Sequence, residues 1–267
     1  MPWSDKVALV TGGSTGLGYA IAVAFCRAGA RVVIAAREGQ RLSAAESSLR
    51  AEFGDRATSI VADVTRDDDV ARMFAETVDR CGRLDVLVNN VGRSTRGEIL
   101  ATSPDDLRDM MEINLLTAVR CTRAAMPHLL ANRGHVVNIG SLASKAATRY
   151  LGAYPASKFA LAAYTQQLRL ELEPRGLHAL LVCPGPLARD DAGARYAKES
   201  ASLPESAQRP GGGVKLRGID PNDLARRIVG ACQHRKKEIV VPAKARLLFA
   251  LAQLSPTLGD WLVRKMT

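Results

Sequence analysis

The chain has 267 residues, 47% hydrophobic and 24% charged, a balance that suits one globular domain with a sizeable core and excludes a disordered, collagenous or coiled-coil chain. Lys and Arg number 37 against 27 Asp and Glu, a formal net charge of +10 that favours an anionic partner: a phosphorylated cofactor, an acidic carrier or a membrane surface. The basic residues are scattered and aromatics are only 4%, so no nucleic-acid surface is expected.

Short runs rich in Val, Ile and Leu alternate with longer segments of helical period. Strands are predicted over residues 7–10, 31–36, 58–62, 84–88, 135–139, 178–182 and 238–241. Their near-continuous apolar character fits a parallel sheet covered by helices on both faces. The alternation therefore implies an α/β fold with a doubly wound parallel sheet, one domain over residues 1–267. Helix starts are marked by Ser103-Pro104-Asp105-Asp106 and Asp220-Pro221-Asn222-Asp223, and less strongly by Thr65-Arg66-Asp67-Asp68. An irregular flap is expected over about 186–218, with Pro186, Pro204, Pro210 and Gly211-Gly212-Gly213.

The tail, 242–267, places Leu247, Leu248, Leu251 and Leu254 at helical spacing, and Ser255-Pro256 then breaks the helix before Trp261 and Leu262. Three roles compete for it: packing on its own domain or a partner subunit, which is the expected one, a wall of the substrate pocket, or peripheral contact with a lipid surface. In the last, Lys244, Arg246, Arg264 and Lys265 would meet anionic headgroups. No apolar run is long enough to span a bilayer, no secretory leader is expected, and the expected location is cytoplasmic. The five cysteines (26, 81, 121, 183 and 232) are far apart and odd in number, which argues against a disulfide framework; neither they nor the four histidines have metal-ligand spacing.

Two constellations carry chemistry. Thr11-Gly12-Gly13-Ser14-Thr15-Gly16-Leu17-Gly18 follows the first strand and opens a helix. Glycines there let the backbone approach a pyrophosphate, whose charge is favoured at a helix N-terminus. The second strand ends in Ala35-Ala36-Arg37 rather than in an acid that would hold ribose hydroxyls. An arginine fork suits a 2′-phosphate, so Arg37, aided by Arg41 one turn on, points to NADP(H). The second constellation is Ser141, Tyr154 and Lys158. Tyr154 and Lys158 share a helix face four residues apart, and a nearby ammonium lowers the pKa of a phenol that is otherwise near 10.

In this order the motifs resemble the short-chain dehydrogenase/reductase family over nearly the whole chain. The glycine turn is followed by Asp63-Val64, Asn89-Asn90-Val91-Gly92, Asn114, Ser141, Tyr154-Pro155-Ala156-Ser157-Lys158 and Pro184-Gly185. The resemblance implies a Rossmann-type seven-stranded sheet of order 3-2-1-4-5-6-7. It implies a cofactor site of Gly12, Ser14, Thr15, Gly16, Leu17, Gly18, Arg37, Asp63, Val64, Asn90, Val91, Gly92, Pro184 and Gly185, with Tyr154 and Lys158 shared with the reaction. It also implies a catalytic set of Asn114, Ser141, Tyr154 and Lys158. Val91 stands where many members have Ala, and Arg189 where many have a Thr after Pro-Gly.

The reaction these residues imply is NADP(H)-dependent interconversion of a ketone or aldehyde and an alcohol, run as a reductase on a small molecule. Tyr154 would be the general acid, Lys158 would lower its pKa, Ser141 would stabilise the developing alkoxide, and Asn114 would position a water for proton relay. The tail favours a lipophilic carbonyl. The alternatives are a 3-oxoacyl thioester on an acyl carrier protein, a sugar or polyol, and, in a different class, a non-catalytic NADP-binding sensor. A homo-dimer or homo-tetramer is expected, with no metal.

Overall fold

A computed structural model describes residues 3–188, 196–208 and 216–266. In chain order the elements are β1 (Val7–Thr11), α1 (Gly16–Ala28), β2 (Arg31–Ala36), α2 (Gly39–Phe53), β3 (Ala57–Val61), α3 (Asp67–Cys81) and β4 (Val86–Asn89). Next come α4 (Pro104–Met111), a π turn (Glu112–Leu116), α5 (Thr117–Ala131), β5 (His135–Ile139), α6 (Tyr154–Leu172) and β6 (His178–Pro184). The short α7 (Ala197–Ser200) and α8 (Glu205–Gln208) precede α9 (Pro221–Gln233), β7 (Glu238–Val241), α10 (Ala245–Leu254) and α11 (Pro256–Met266). The seven strands form one parallel sheet in the order β3-β2-β1-β4-β5-β6-β7.

Strand alternation explains why apolar runs were needed. Ala8, Val10, Val32 and Ile34 enter one core with α1, α2 and α9, while Val7, Leu9, Val33 and Ala35 enter a second core with α3 and α5. Both faces of the sheet are thus dry, which only uninterrupted hydrophobic strands tolerate. The sheet's reversal point lies between β1 and β4, where helices pass to opposite faces and a crevice opens beyond the strand ends.

Local corrections have local causes. The fourth strand starts at Val86 rather than Leu84 because Asp85 is occupied as a knot. Its buried carboxylate accepts from Arg83 at 2.7 and 2.8 Å, Lys6 at 3.1 Å and the Val7 amide at 3.0 Å. Burial alone would raise its pKa, but the Arg83, Val7 and Lys6 bonds prevail and hold it below the usual range. Ser103 and Asp220 cap α4 and α9 as expected, Ser103 in a full capping box. Thr65 does not cap α3; Arg66 occupies that position, while the Thr65 hydroxyl bonds Asp63 at 2.8 Å.

The tail differs from its predicted packing face. Ala245 and Phe249 are buried against Leu181, Cys183 and Val240, with Leu248 alongside, whereas Leu247 and Leu254 are 68% and 81% exposed. The apolar run 247–251 is compatible with several helix faces, and contact with β6 and β7 selects this one. The α10–α11 hairpin closes tightly: a Cβ on Gly259 would stand 2.9 Å from Ala252 Cβ. No described helix is long and apolar enough to cross a membrane.

Candidate active site

The crevice at the strand ends is a cleft of about 1230 Å³. The glycine turn enters from β1. Gly12 has φ +62°, and a Cβ on Gly18 would lie 2.2 Å from Gly12 O, so side chains at these places would fill the cradle or break the turn. Asn90 fixes the turn from β4, donating to Thr11 O and Gly12 O at 3.1 Å each. Ser14, Thr15, Gly16 and Leu17 line the cleft; Gly18 lies behind it as packing glycine.

Arg37 stands at the rim, 70% exposed, with Nη1 3.8 Å from Asp63. Asp63 in turn accepts from the Thr65 amide at 3.0 Å, and Val64 is buried beside it. Arg41, named as a helper, pairs instead with Glu38 at 3.1 Å. Glu38 itself lines the cleft; residue order at the end of β2 could have flagged it. Val91, Gly92, Pro184 and Gly185 continue the wall. Room for a group with a phosphate at the Arg37 end and a flat ring near Gly92 is therefore built from donors and bare backbone, which fits a dinucleotide.

The reacting end brings Ser141, Tyr154 and Lys158 into one wall. Ser141 follows β5 and accepts from the Ala143 amide at 3.1 Å, which orients its hydroxyl. Tyr154 and Lys158 are in the first turns of α6. Lys158 Nζ donates to Ile139 O at 2.8 Å and lies 5.9 Å from the centre of the Tyr154 ring. Burial draws the Lys158 pKa down to about 8. Burial also pushes Tyr154 up to about 12, opposed by a hydrogen bond with Ser141 and by the charge of Arg96. The lowering ascribed to Lys158 alone is thus shared with Ser141 and Arg96.

Asn114 lies not in the cleft wall but behind it, on the π turn, fully occupied. Its Oδ1 accepts from the Arg93 amide at 2.9 Å, while Nδ2 donates to Arg93 O at 2.9 Å and Ser157 Oγ at 3.0 Å. Ser157 donates to Tyr154 O at 2.7 Å, so the carboxamide ties the loop after β4 to the helix that carries the phenol. The π turn interrupts the regular helix here, as such turns do at functional sites.

Sequence reading missed Ser94, Arg96 and Tyr196, which line the same cleft from the β4–α4 loop and the flap. No motif marks them, and they meet only through the fold. Arg189 lies outside the described residues, as does much of the expected flap. The far wall is apolar, with Leu142, Ala146, Leu187, Leu248, Phe249 and Val263. The tail is therefore both packed on its own domain and a wall of the cleft.

Residues 6–200 match the family model described as short chain dehydrogenase. An oxidoreductase of Mycobacterium tuberculosis is 38% identical over 224 residues, covering 83% of this chain and 82% of that protein. The crystal structure of a short-chain dehydrogenase from Streptomyces avermitilis superposes with a TM-score of 0.81 at 33% identity, covering 96% of this chain and 95% of the other. L-sorbose reductase from Gluconobacter frateurii, complexed with NADPH and L-sorbose, gives a TM-score of 0.78 at 26% identity, with 89% and 96% covered. Sheet order, cleft and these similarities agree that the chain belongs to the short-chain dehydrogenase/reductase family, whose members are oxidoreductases that use a nicotinamide cofactor.

Proposed function

We propose that the protein is an NADP(H)-dependent reductase of a lipophilic ketone or aldehyde. The observation that carries this is one continuous cleft with Arg37 at one end, Ser141, Tyr154 and Lys158 in the middle and an apolar wall of α10 and α11 residues at the other. The glycine turn and Asn90 would hold the cofactor's pyrophosphate, Arg37 its 2′-phosphate, and Lys158 its nicotinamide ribose. When bound, the cofactor supplies a hydride for the carbonyl carbon. Ser141 donates a hydrogen bond to the carbonyl oxygen, where negative charge develops, and Tyr154 gives that oxygen its proton. Asn114, through Ser157 and Arg93, holds the helix and loop that carry these groups.

NADP preference is supported by Arg37 and by the NADPH complex of the sorbose reductase. All five cysteines are free and buried, consistent with a cytoplasmic protein. The homo-dimer or homo-tetramer and a peripheral membrane contact of the tail belong to the same reading; exposed Leu247, Leu254 and Trp261 beside basic residues supply the surface for the latter. The test is NADPH and NADH oxidation with a panel of lipophilic ketones, 3-oxoacyl thioesters and sugars. Turnover of lipophilic ketones with NADPH supports the reading; turnover confined to sugars or thioesters overturns the substrate class.

A further inference from the structure

Arg96 lies on the β4–α4 loop, is only 7% exposed and shares the cleft with Ser94, Tyr154 and Tyr196. A buried guanidinium must be held by acceptors or aromatic faces. Its Nε donates to Ala207 O at 3.0 Å, its Nη1 donates to Thr95 O at 2.9 Å, and its central carbon stands 4.0 Å from the centre of the Tyr196 ring. The Arg96 amide donates to Glu199 at 2.9 Å, and the hydroxyls of Tyr196 and Ser94 are 2.5 Å apart. These contacts fasten residues 196–207 to a loop about a hundred positions earlier in the chain.

The other side of that loop is attached to the approach to Tyr154. Gly97 N donates to Tyr150 O and Gly152 N to Gly97 O, both at 3.1 Å, and Thr95 Oγ1 donates to Leu151 O at 3.1 Å. Arg93 completes the tie through Asn114. We infer that Arg96 is a positioning residue that fixes the 196–208 segment over the cleft beside Tyr154 and adds a permanent positive charge to the surroundings of its phenol. The inference rests on Tyr154 being the proton donor.

The groups facing that phenol are Lys158 on the same helix, Ser141 after β5, Cys183 on β6, Tyr196 on the flap and Arg96. Ser141 and Arg96 favour the phenolate, while burial, Tyr196 and Cys183 oppose it; Glu199 offsets part of the Arg96 charge. Lys158 loses its proton near pH 8, whereas a guanidinium keeps its charge throughout the working range. Arg also does what Lys cannot: its plane stacks on the Tyr196 ring while its edge donates to two carbonyls.

The experiment compares Arg96→Met, which keeps much of the apolar stem, with Arg96→Lys, which keeps the charge. In Arg96→Met, kcat/KM for ketone reduction should fall about tenfold or more, chiefly through KM, with the NADPH Kd changed by less than about twofold. The alkaline limb of its pH profile should move up by about half a unit, because loss of a cation raises the phenol pKa and keeps the acid protonated to higher pH. Amide hydrogen exchange over 196–208 should accelerate about tenfold. Arg96→Lys should restore the position of the limb but not KM or exchange protection. Unchanged exchange in Arg96→Met overturns the inference whatever the activity, as does a loss of NADPH affinity that parallels the loss of turnover. An unmoved limb in an otherwise impaired Arg96→Met removes the charge role and overturns the inference as stated. If the protein itself binds NADPH but turns over no carbonyl, it is the proposed function that fails, and the accelerated exchange still bears out the fastening.

Discussion

Arg37 separates the two nicotinamide cofactors on a single side chain. It is largely in solvent, and its one carboxylate neighbour, Asp63, is at 3.8 Å, longer than a good charge-assisted bond. A 2′-phosphate can displace so weak a contact at little cost. Arg37→Ala should weaken NADPH binding by about 1.5–3 kcal/mol, roughly 10–150-fold, and leave NADH binding nearly unchanged. Fluorescence titration with both cofactors reads this directly, and equal losses would assign Arg37 to the fold. At this scale the sequence was informative where a residue type is demanded by chemistry at a fixed place, as with Arg37, Tyr154 and Lys158. It was silent on Arg96 and Tyr196, whose meeting depends on a flap 100 residues away along the chain. It also gave Asn114 a role at a water when its carboxamide is spent on Arg93 and Ser157.

Between neighbouring elements, the start of β5 and β6 holds a paired histidine. His135 and His178 are register partners, with their Nδ1 atoms 2.9 Å apart. His178 Nε2 is 2.8 Å from Lys236 O, an acceptor only, so Nε2 carries the proton and Nδ1 accepts from His135. A second proton on either ring would break this pair. Burial, with His178 and Arg235 adding to it, pulls the His135 pKa down to about 3. The folded pKa is depressed, so the unfolded chain takes up the proton first, and stability falls as pH drops from about 6.5 towards 3. Urea unfolding should show a loss of about 2 kcal/mol between pH 6.5 and 5, with a shallower slope in His135→Gln. An equal slope in that variant would place the sensitivity elsewhere.

The α10 helix adds a functional consequence to its packing. Phe249 is buried beneath it and also borders the cleft. Phe249→Ala should cost about 2–4 kcal/mol of stability and raise KM for lipophilic ketones about tenfold while small polar carbonyls are unaffected. Thermal melts and steady-state kinetics on both substrate types measure the two effects. The existence of this helix was legible from its spacing, but its inward face was not, because an apolar run of five residues has no unique face until β6 and β7 supply one.

For the whole molecule, the sheet was legible because parallel strands buried on both faces must be written as apolar runs, and these fell within a residue or two of β1 to β7. Where they differed, a polar side chain had another task, as Asp85 has in gripping Lys6 and Arg83. The site was legible at the strand ends, where glycine, arginine and tyrosine are set by the cofactor and the proton. Its roof and far wall were not, since they assemble from the loop after β4, the flap and the tail.

The central claim is that one phenol, Tyr154, delivers the proton in carbonyl reduction. Tyr154→Phe removes the hydroxyl and leaves a ring of nearly the same volume. Steady-state NADPH oxidation with the best ketone of a lipophilic panel should fall by about 10²–10⁴-fold in this variant, with NADPH affinity retained. Turnover within a fewfold of the unaltered protein would contradict the account and assign the acid to another group.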